Sequence, residues 1–518
     1  MIVSFAVFTT ALFGSCTSKE GSGEEPESPT TSYKVRVKVS TGEYTRAGDD
    51  AAVNTLHLAF YNGEECLGIV EATKDNDAYV CEIPAEYGKP DGVIAFANLP
   101  AGDLPTKDNV MTKTYSNFGN GDNMIMSSAR YFDASGNDKL KTPLSTMNLV
   151  EGGRALNIKL DRIVSKVTVR FNSDSEFENF SVIYGDNTEI PLTLKILYWA
   201  VTGTERGSFL VKNFSGKGKE ELDLELDGWS SWNINSGISH WAHSITWDDK
   251  DAKYPLNKLG SDNYAYDFLN IESVTNNFNT SQFYHETTRS KDWYNIDNAV
   301  ASLVIVGKYT GNNINGKSFY NYKGSFYLGS DYVSYFKGQM LKNQTILYKE
   351  NDPNPINRDM GEYFKICHPE GYDGLPDSYV TIQLADNTLI QNVFFDKDMK
   401  SYQQEDRDMI NRILAQECGF AEEFTDGRCY FMIPIQNIAY ANTDQPQEVT
   451  GCYGLVRNHH YIITINDING IGSSIISNDC VPLKYTYSGQ SSSAYKVNAN
   501  VSVNEWHDVN QIVDIPKN

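Results

Sequence analysis

Three stretches of this chain alternate apolar and polar residues with a period of two, and that pattern constrains the fold more than any other feature. Ser32 to Val39 reads SYKVRVKV, Val164 to Phe171 reads VSKVTVRF, and Tyr495 to Val503 reads YKVNANVSV. Successive side chains of a strand point to opposite faces, so each stretch is expected to be a strand with one buried face. In the first, Tyr33, Val35, Val37 and Val39 share a face against Lys34, Arg36 and Lys38. In the last, Tyr495, Val497, Ala499, Val501 and Val503 oppose Lys496, Asn498, Asn500 and Ser502.

Between these lie many shorter strand signals: Thr55 to Tyr61 before an Asn62-Gly63 turn, Gly92 to Ala97, Asn123 to Ser127, Ala155 to Leu160, Leu192 to Val201, Ser302 to Lys308, Phe319 to Leu328, Tyr379 to Leu384, Cys429 to Pro434 and Tyr461 to Asn466. No alternation of strands with long helices accompanies them, so β-sandwiches are expected rather than a parallel sheet. One helix is expected over Gln404 to Cys418, with Met409, Ile410, Ile413 and Leu414 on its apolar face and Gly419 as its C-cap. The 32 tyrosines and 24 phenylalanines against 17 prolines agree with a β-rich fold.

The charge excludes one class of partner. With 44 Lys+Arg against 67 Asp+Glu the net charge is −23. Nucleic acid requires a basic face to meet phosphates, so none is expected here.

The N-terminus points to export. Ile2 to Phe13 is an apolar run, too short for a bilayer span, and ends in Phe13-Gly14-Ser15-Cys16. Small residues before a cysteine suit a lipoprotein signal peptide of residues 1–16, with Cys16 as the lipidated residue; the alternative is an ordinary cleaved signal. Thr17 to Thr31 is polar, acidic and rich in Ser, Gly and Pro, as a flexible tether would be. Residues 17–46 are therefore taken as tether plus N-terminal strand, 47–161 as a first sandwich, 162–486 as a second with insertions, and 487–518 as a polar hinge and terminal strand. Seven of the eight cysteines follow Cys16. An odd number cannot all pair within the chain; Cys418 with Cys429 would close a plausible short loop, but buried or incidental cysteines with at most one or two bridges are the default.

Catalytic signatures are absent. His240 and His243 have a helical metal-ligand spacing but lack a third ligand in register. His459 and His460 would face opposite ways on a strand. Asp248, Asp249 and Asp251 lack the glycine and terminal Glu of a calcium loop. Glu422-Glu423 is an unremarkable pair in an acidic chain. No G-x-S-x-G, P-loop or H-E-x-x-H stands anywhere. No enzyme activity, cofactor or metal is expected. The insertion Gly228 to Tyr294 holds Trp229, Trp232, Trp241, Trp247 and Trp293. These either stack on sugars, giving a monomeric glycan-binding surface lipoprotein, or form a small local core.

The two terminal strands carry a further reading. An unpaired strand edge is a template for another chain. A cut at Arg46 would let Ser32 to Val39 leave its sheet, and another molecule's terminal strand could fill the groove. Such a head-to-tail contact does not close on itself and builds a filament. The alternative is that both strands simply pair within their own sheets.

The residues Val456-Arg457-Asn458-His459-His460-Tyr461-Ile462-Ile463-Thr464-Ile465-Asn466 and Ile468-Asn469-Gly470-Ile471-Gly472 resemble the late signature of fimbrillins, the type V pilus subunits of Bacteroidales. Asn123 to Ser127, Arg162 to Phe171, Leu197 to Val201, Leu303 to Tyr309 and the V-x-V-x-x-W of Val501 to Trp506 resemble the minor-fimbrium branch. The resemblance implies two transthyretin-like β-sandwiches and a lipoprotein precursor carried to the outer membrane. It also implies an Arg-specific protease acting between Arg46 and Ala47, and polymerisation by strand exchange with Tyr495 to Val503 as donor. Partners would be copies of the chain and other fimbrial subunits in an extracellular fimbrium, with tip and anchor roles as alternatives and the receptor unnamed.

Overall fold

The computed structural model describes residues 33–40, 52–119, 123–133, 135–149, 153–172, 176–184, 188–218, 220–222, 232–233, 238–239, 241–247, 267–270, 278–290, 292, 300–311, 314, 316–342, 347–349, 364–368, 378–385, 392–395, 400–403, 407–436, 450, 453–475, 480–483, 496–505 and 508–509. The all-β expectation, with little helix, holds.

The N-terminal part is a ring of seven strands: β1 (Tyr33–Ser40), β2 (Leu56–Asn62), β3 (Glu65–Asp75), β4 (Ala78–Ile83), β5 (Gly92–Ala97), β6 (Met126–Ser128) and β7 (Leu156–Arg162). The order is β2-β3-β4-β1-β7-β6-β5, and β5 returns to pair with β2. Two strands serve both layers and so close the sandwich. β3 pairs with β2 through Ala72 and with β4 from Thr73 onward. β7 pairs with β1 over Leu156–Lys159 and with β6 over Leu160–Arg162. Closure removes the exposed edges that an open sheet would leave. Val35, Val37, Leu56, Leu58, Phe60, Ile83, Val93, Ile158 and Leu160 fill the interior.

At Ile163 the chain passes from the ring into a true two-layer sandwich. One layer holds β8 (Val164–Phe171), which has the bounds read from the alternation. The other is a ten-stranded sheet containing β9 (Glu176–Tyr184), β10 (Thr188–Thr202), β12 (Ser302–Thr310) and β18 (Arg428–Pro434). The smaller layer runs β11 (Ser281–His285), β8, β19 (His459–Asn469), β21 (Lys496–Glu505) and the two-residue β22 (Asp508–Val509). Val167, Val169, Tyr461, Ile463 and Ile465 from this layer meet Leu192, Leu194, Trp199, Leu303, Ile305 and Phe431 from the other. Period-2 patterning on both sheets makes that core unavoidable.

The ten-stranded sheet continues beyond β9 into a helix-covered extension. The expected strand Phe319 to Leu328 is instead a hairpin, β13 (Phe319–Tyr322) and β14 (Ser325–Leu328). Lys323 and Gly324 supply its turn with φ of 50° and 83°, the left-handed pair that a tight hairpin needs. A helix the sequence reading lacks follows directly, α1 (Gly329–Lys342). Its signal was Tyr332, Phe336 and Met340 at i, i+4, i+8, all buried. After β15 (Phe364–Cys367) and β16 (Tyr379–Leu384), α2 (Arg407–Cys418) is the expected helix. Gly419 caps it at φ 84°, its N–H donating to Ala415 O at 2.8 Å. The buried face is Ile410, Leu414, Ala415 and Cys418, while Met409 is 47% exposed, so its place on the apolar face is corrected. The extension closes with β17 (Ala421–Phe424), and β20 (Ser473–Ser474) edges the sheet beyond β18.

Of the two readings of Cys418 and Cys429, a short-loop bridge or buried thiols, the structure shows the second. Both thiols are free and buried. Cys418 sits in the core beneath the two helices, and Cys429 lies in the main sandwich core. A short sequence separation does not bring the thiols together when α2, β17 and the start of β18 direct them to different cores.

Glu422 on β17 is buried and accepts from the N–H and Oγ of Ser474 at 3.1 and 2.8 Å. Burial pushes its carboxyl above the usual carboxylate range. The folded state therefore holds that proton more tightly than the unfolded chain, and this contribution is lost as pH rises through the folded value. Glu422→Gln keeps the acceptor and removes the charge. It is expected to raise the melting temperature at pH 7, with the gain shrinking towards pH 4 in a calorimetric pH series. A constant gain at every pH would contradict this assignment.

Candidate functional site

The chemistry-bearing residues singled out in the sequence are structural where described. His243 is buried, stacks on Trp247 at 4.2 Å and places Nδ1 2.6 Å from Ser215 Oγ. His459 and His460 do face opposite ways: one meets Arg457 O at 2.8 Å, the other Thr168 Oγ1 at 2.8 Å. Glu423 pairs with the Tyr320 hydroxyl at 3.3 Å, away from Glu422. Trp241 and Trp247 are buried against Val456, a local core rather than a sugar platform. His240, Trp229, Trp293, Asp248, Asp249 and Asp251 lie outside the described residues, as does the side chain of Trp232. Among the described residues no group of three His, Cys, Asp or Glu is placed to hold a metal, and no helix is long and apolar enough to cross a membrane.

What the structure does build is a strand seat. β1 stands between β4, antiparallel over Tyr33–Val37, and β7, parallel over Val37–Ser40. Its first half is thus held by one neighbour and its second half by the other, so β1 itself closes the ring. Val35 and Val37 are fully buried, worth roughly 1.5–3 kcal/mol each. The outer face carries ion pairs. Arg36 reaches Asp75 and Asp77 at 3.4 Å each, and Lys38 reaches Asp77 at 2.5 Å. The Lys38 ammonium holds the Asp77 carboxyl below its ordinary value.

The terminal strand β21 pairs antiparallel with β19. The register sets Val503, Val501, Ala499 and Val497 opposite Tyr461, Ile463, Ile465 and Ile468, all of which lie in the core. On its other side β21 meets, among the described residues, only β22 through Val503 and Asn504. Both terminal strands therefore pair within their own sheets in this state of the chain. Cys16, Arg46, Ala47 and Tyr495 lie outside the described residues.

A buried polar joint links the ring to the sandwich, and sequence reasoning assigned it no role. Asn458 adopts φ 61°. Its N–H donates to Val164 O at 2.7 Å, its Oδ1 accepts from Arg162 Nη1 at 3.2 Å, and its Nδ2 donates to Asp161 Oδ1 at 3.2 Å. Asp161 Oδ2 lies 3.1 Å from Lys212 Nζ. Arg457 Nε donates to Glu286 Oε2 at 2.8 Å, and its other nitrogens reach Phe209 O and Leu210 O at 2.8 and 3.3 Å. Ser127 Oγ donates to Leu210 O as well. His285 meets Ser208 Oγ and Ser116 O at 3.0 Å each, and burial pushes it below the usual histidine value. Around these, Ala59, Tyr61, Ile94 and Phe96 from the ring's outer side pack with Ile163, Val164, Leu210 and Val211. The one signal in the sequence was Arg457-Asn458 entering an apolar strand, a place where charge must be paired.

Residues 422–511 match the model of a family described as major fimbrial subunit protein type IV, fimbrillin, C-terminal. The fimbrillin resemblance read in the sequence is borne out over that stretch, which runs from β17 to beyond β22. Among solved structures, a fimbrilin from Porphyromonas gingivalis W83 is 14% identical, with TM-score 0.38 over 93% of this chain and 98% of that one. The tip fimbrial protein Mfa3 from Porphyromonas gingivalis, with C-terminal truncation, is 12% identical, with TM-score 0.30 over 90% and 99%. No curated protein matches the chain.

Proposed function

We propose that this chain is a structural subunit of a cell-surface fimbrium, assembled by protease-triggered β-strand exchange and supporting adhesion. The observation that carries the reading is the position of β1: the strand that closes the ring is joined to the rest only through the segment between Ser40 and Leu56, and Arg46 lies in that segment. One cut there would turn a built-in stave into a replaceable one. The family match over residues 422–511 supports the fimbrial reading. Cys16 would carry a lipid that brings the precursor to the outer membrane, and an Arg-specific protease would release it between Arg46 and Ala47. The donor would be Tyr495 to Val503, whose described part is bounded by a two-residue strand and can be peeled away at the cost of one ladder. A cleavable Arg46 favours a shaft or near-tip position over a membrane anchor that keeps its lipid.

The test uses purified precursor treated with an Arg-specific protease and run on SDS-PAGE without boiling. A ladder of stable multimers is expected from the native chain. The ladder should vanish in Arg46→Ala and in a truncation ending before Tyr495. A clean monomer after confirmed cleavage at Arg46 would sink the reading.

A further inference from the structure

The buried ion pairs of this chain differ in one chemical respect. Arg289–Glu205 and Arg457–Glu286 are made by guanidinium groups, with side-chain exposures of 1% or less. Such a cation keeps its protons under all ordinary conditions. Lys212–Asp161 is made by an amine, at 3% and 10% exposure, with Nζ 3.1 Å from Oδ2. A lysine out of water gives up its proton far more readily, and a neutral amine is a nucleophile. This pair is therefore also a pair of reactants.

The surroundings hold both partners in the posture that amide formation needs. Asp161 Oδ1 accepts from Asn458 Nδ2 at 3.2 Å, so one carboxyl oxygen faces an N–H and the other faces the amine. The Asn458 amide is fixed in that sense, because its own Oδ1 accepts from Arg162 Nη1 and from the Arg162 backbone N–H at 3.2 and 3.4 Å. The backbone around Lys212 is fixed as well. Leu210 N–H donates to Lys113 O at 2.9 Å, Arg130 Nη1 donates to Lys212 O at 2.7 Å, and His243 N–H donates to Asn213 O at 2.9 Å.

We propose that Lys212 and Asp161 condense to an isopeptide bond. Within the ion pair a proton passes from Nζ to Oδ2, leaving a neutral amine and a neutral carboxylic acid. Nζ attacks Cγ, and the charge that builds on Oδ1 is met by the Asn458 N–H already aimed at it. Nζ then gives a second proton to Oδ2, the Cγ–Oδ2 bond breaks, and Oδ2 leaves as water. One ammonium and one carboxylate become one amide and one water, with no change of oxidation state. Two buried charges give way to a neutral group, which removes the desolvation cost that opposes a buried pair. The fixed approach of the two groups replaces a bimolecular encounter. Asp161 lies near the end of β7 in the ring, and Lys212 follows β10 of the sandwich. The bond closes a loop containing β8, β9 and β10, a second covalent link beside the passage at Ile163. A pull along the chain then runs through the bond and leaves those three strands unloaded. The proposal stands whether or not the chain builds a fibre.

The experiment weighs the purified full chain, reduced and denatured, by mass spectrometry and then maps its tryptic peptides. The protein is expected to be lighter than its sequence by about 18 Da, the mass of one water. The digest should hold residues 160–162 joined to residues 207–217 through a Lys212 that trypsin has not cut. Lys212→Arg keeps the cation and should restore the full mass; the same loss of water in that variant would overturn the proposal. So would a full-mass native protein whose digest releases residues 160–162 and 207–212 as separate peptides, which would leave the pair an ion pair only and needs no variant to read. A loss of about 17 Da, one ammonia, with Lys212 joined to residue 458, would overturn the assignment to Asp161.

Discussion

Arg457→Met is expected to destabilise the protein by about 3–5 kcal/mol, the largest single effect at the joint. The guanidinium and the Glu286 carboxylate are both almost wholly out of solvent, at 0% and 1% side-chain exposure. Methionine fills most of the volume but donates nothing. Glu286 would then be a buried charge without its cation, the Phe209 carbonyl would lose the Arg457 donor, and Leu210 O would keep only Ser127 Oγ. An uncompensated buried charge costs more than the pair contributed, so the partner substitution is the informative control. Arg457→Met/Glu286→Leu should recover a large part of the loss, because it removes both charges at once. Denaturant midpoints of the two single variants and the double variant give the coupling. Additive losses in the double variant would mean that the two groups are not an isolated pair. The ring and the sandwich share this joint and the apolar contacts around it, so the transition of Arg457→Met is also expected to broaden as the two parts lose their common melting.

Val37→Asp is expected to undock β1 without any protease. Val37 is the deepest residue of the strand, with none of its surface exposed, in the cluster with Leu58, Phe60, Ile83 and Ile158. A carboxylate there faces a desolvation cost that no neighbour offsets. The ring has a cheaper response than burying it: β1 swings out, at a cost set by the burial of Val35 and Val37 and the loss of its two ladders, several kcal/mol in all. The amides of β1 and the facing amides of β4 and β7 should then exchange with solvent orders of magnitude faster, while those of β19 and β12 keep their protection. Ser40→Asp, an exposed change on the same strand, is the control and should leave protection unchanged. Slow exchange throughout β1 in Val37→Asp would mean that the strand is held by more than its apolar face. On the proposed function, the undocked variant should also form multimers without cleavage.

Much of this fold was legible because period-2 alternation survives tertiary context. Tyr33–Ser40, Val164–Phe171 and the long terminal strand fall where the pattern puts them, since one buried face is a local requirement that any sandwich meets. Pattern failed where a residue type served two structures. Tyr320, Tyr322 and Tyr327 read as one strand's worth of aromatics, yet Lys323-Gly324 turns the chain, and Tyr332 a few residues on belongs to α1, a helix the pattern was not read to contain. Met409 matches a helical apolar stripe but looks out to solvent, because α2 buries Ile410, Leu414, Ala415 and Cys418 instead. Cys418 and Cys429 are close in sequence and belong to different cores, a distinction no spacing rule contains.

The division between sequence and structure follows the range of the forces. By itself the chain determined its class, its acidic character, the faces of its strands and the two terminal segments that match in pattern. All of these depend on residues near one another or on sums over the whole. Only the tertiary structure decided that β1 closes a ring and lies parallel to β7, that its cations answer Asp75 and Asp77, and that Arg457 and Asn458 reach across to Glu286 and Asp161. Those pairings join residues tens to hundreds of positions apart, and their worth comes from burial and register, which exist only once the sheets have formed.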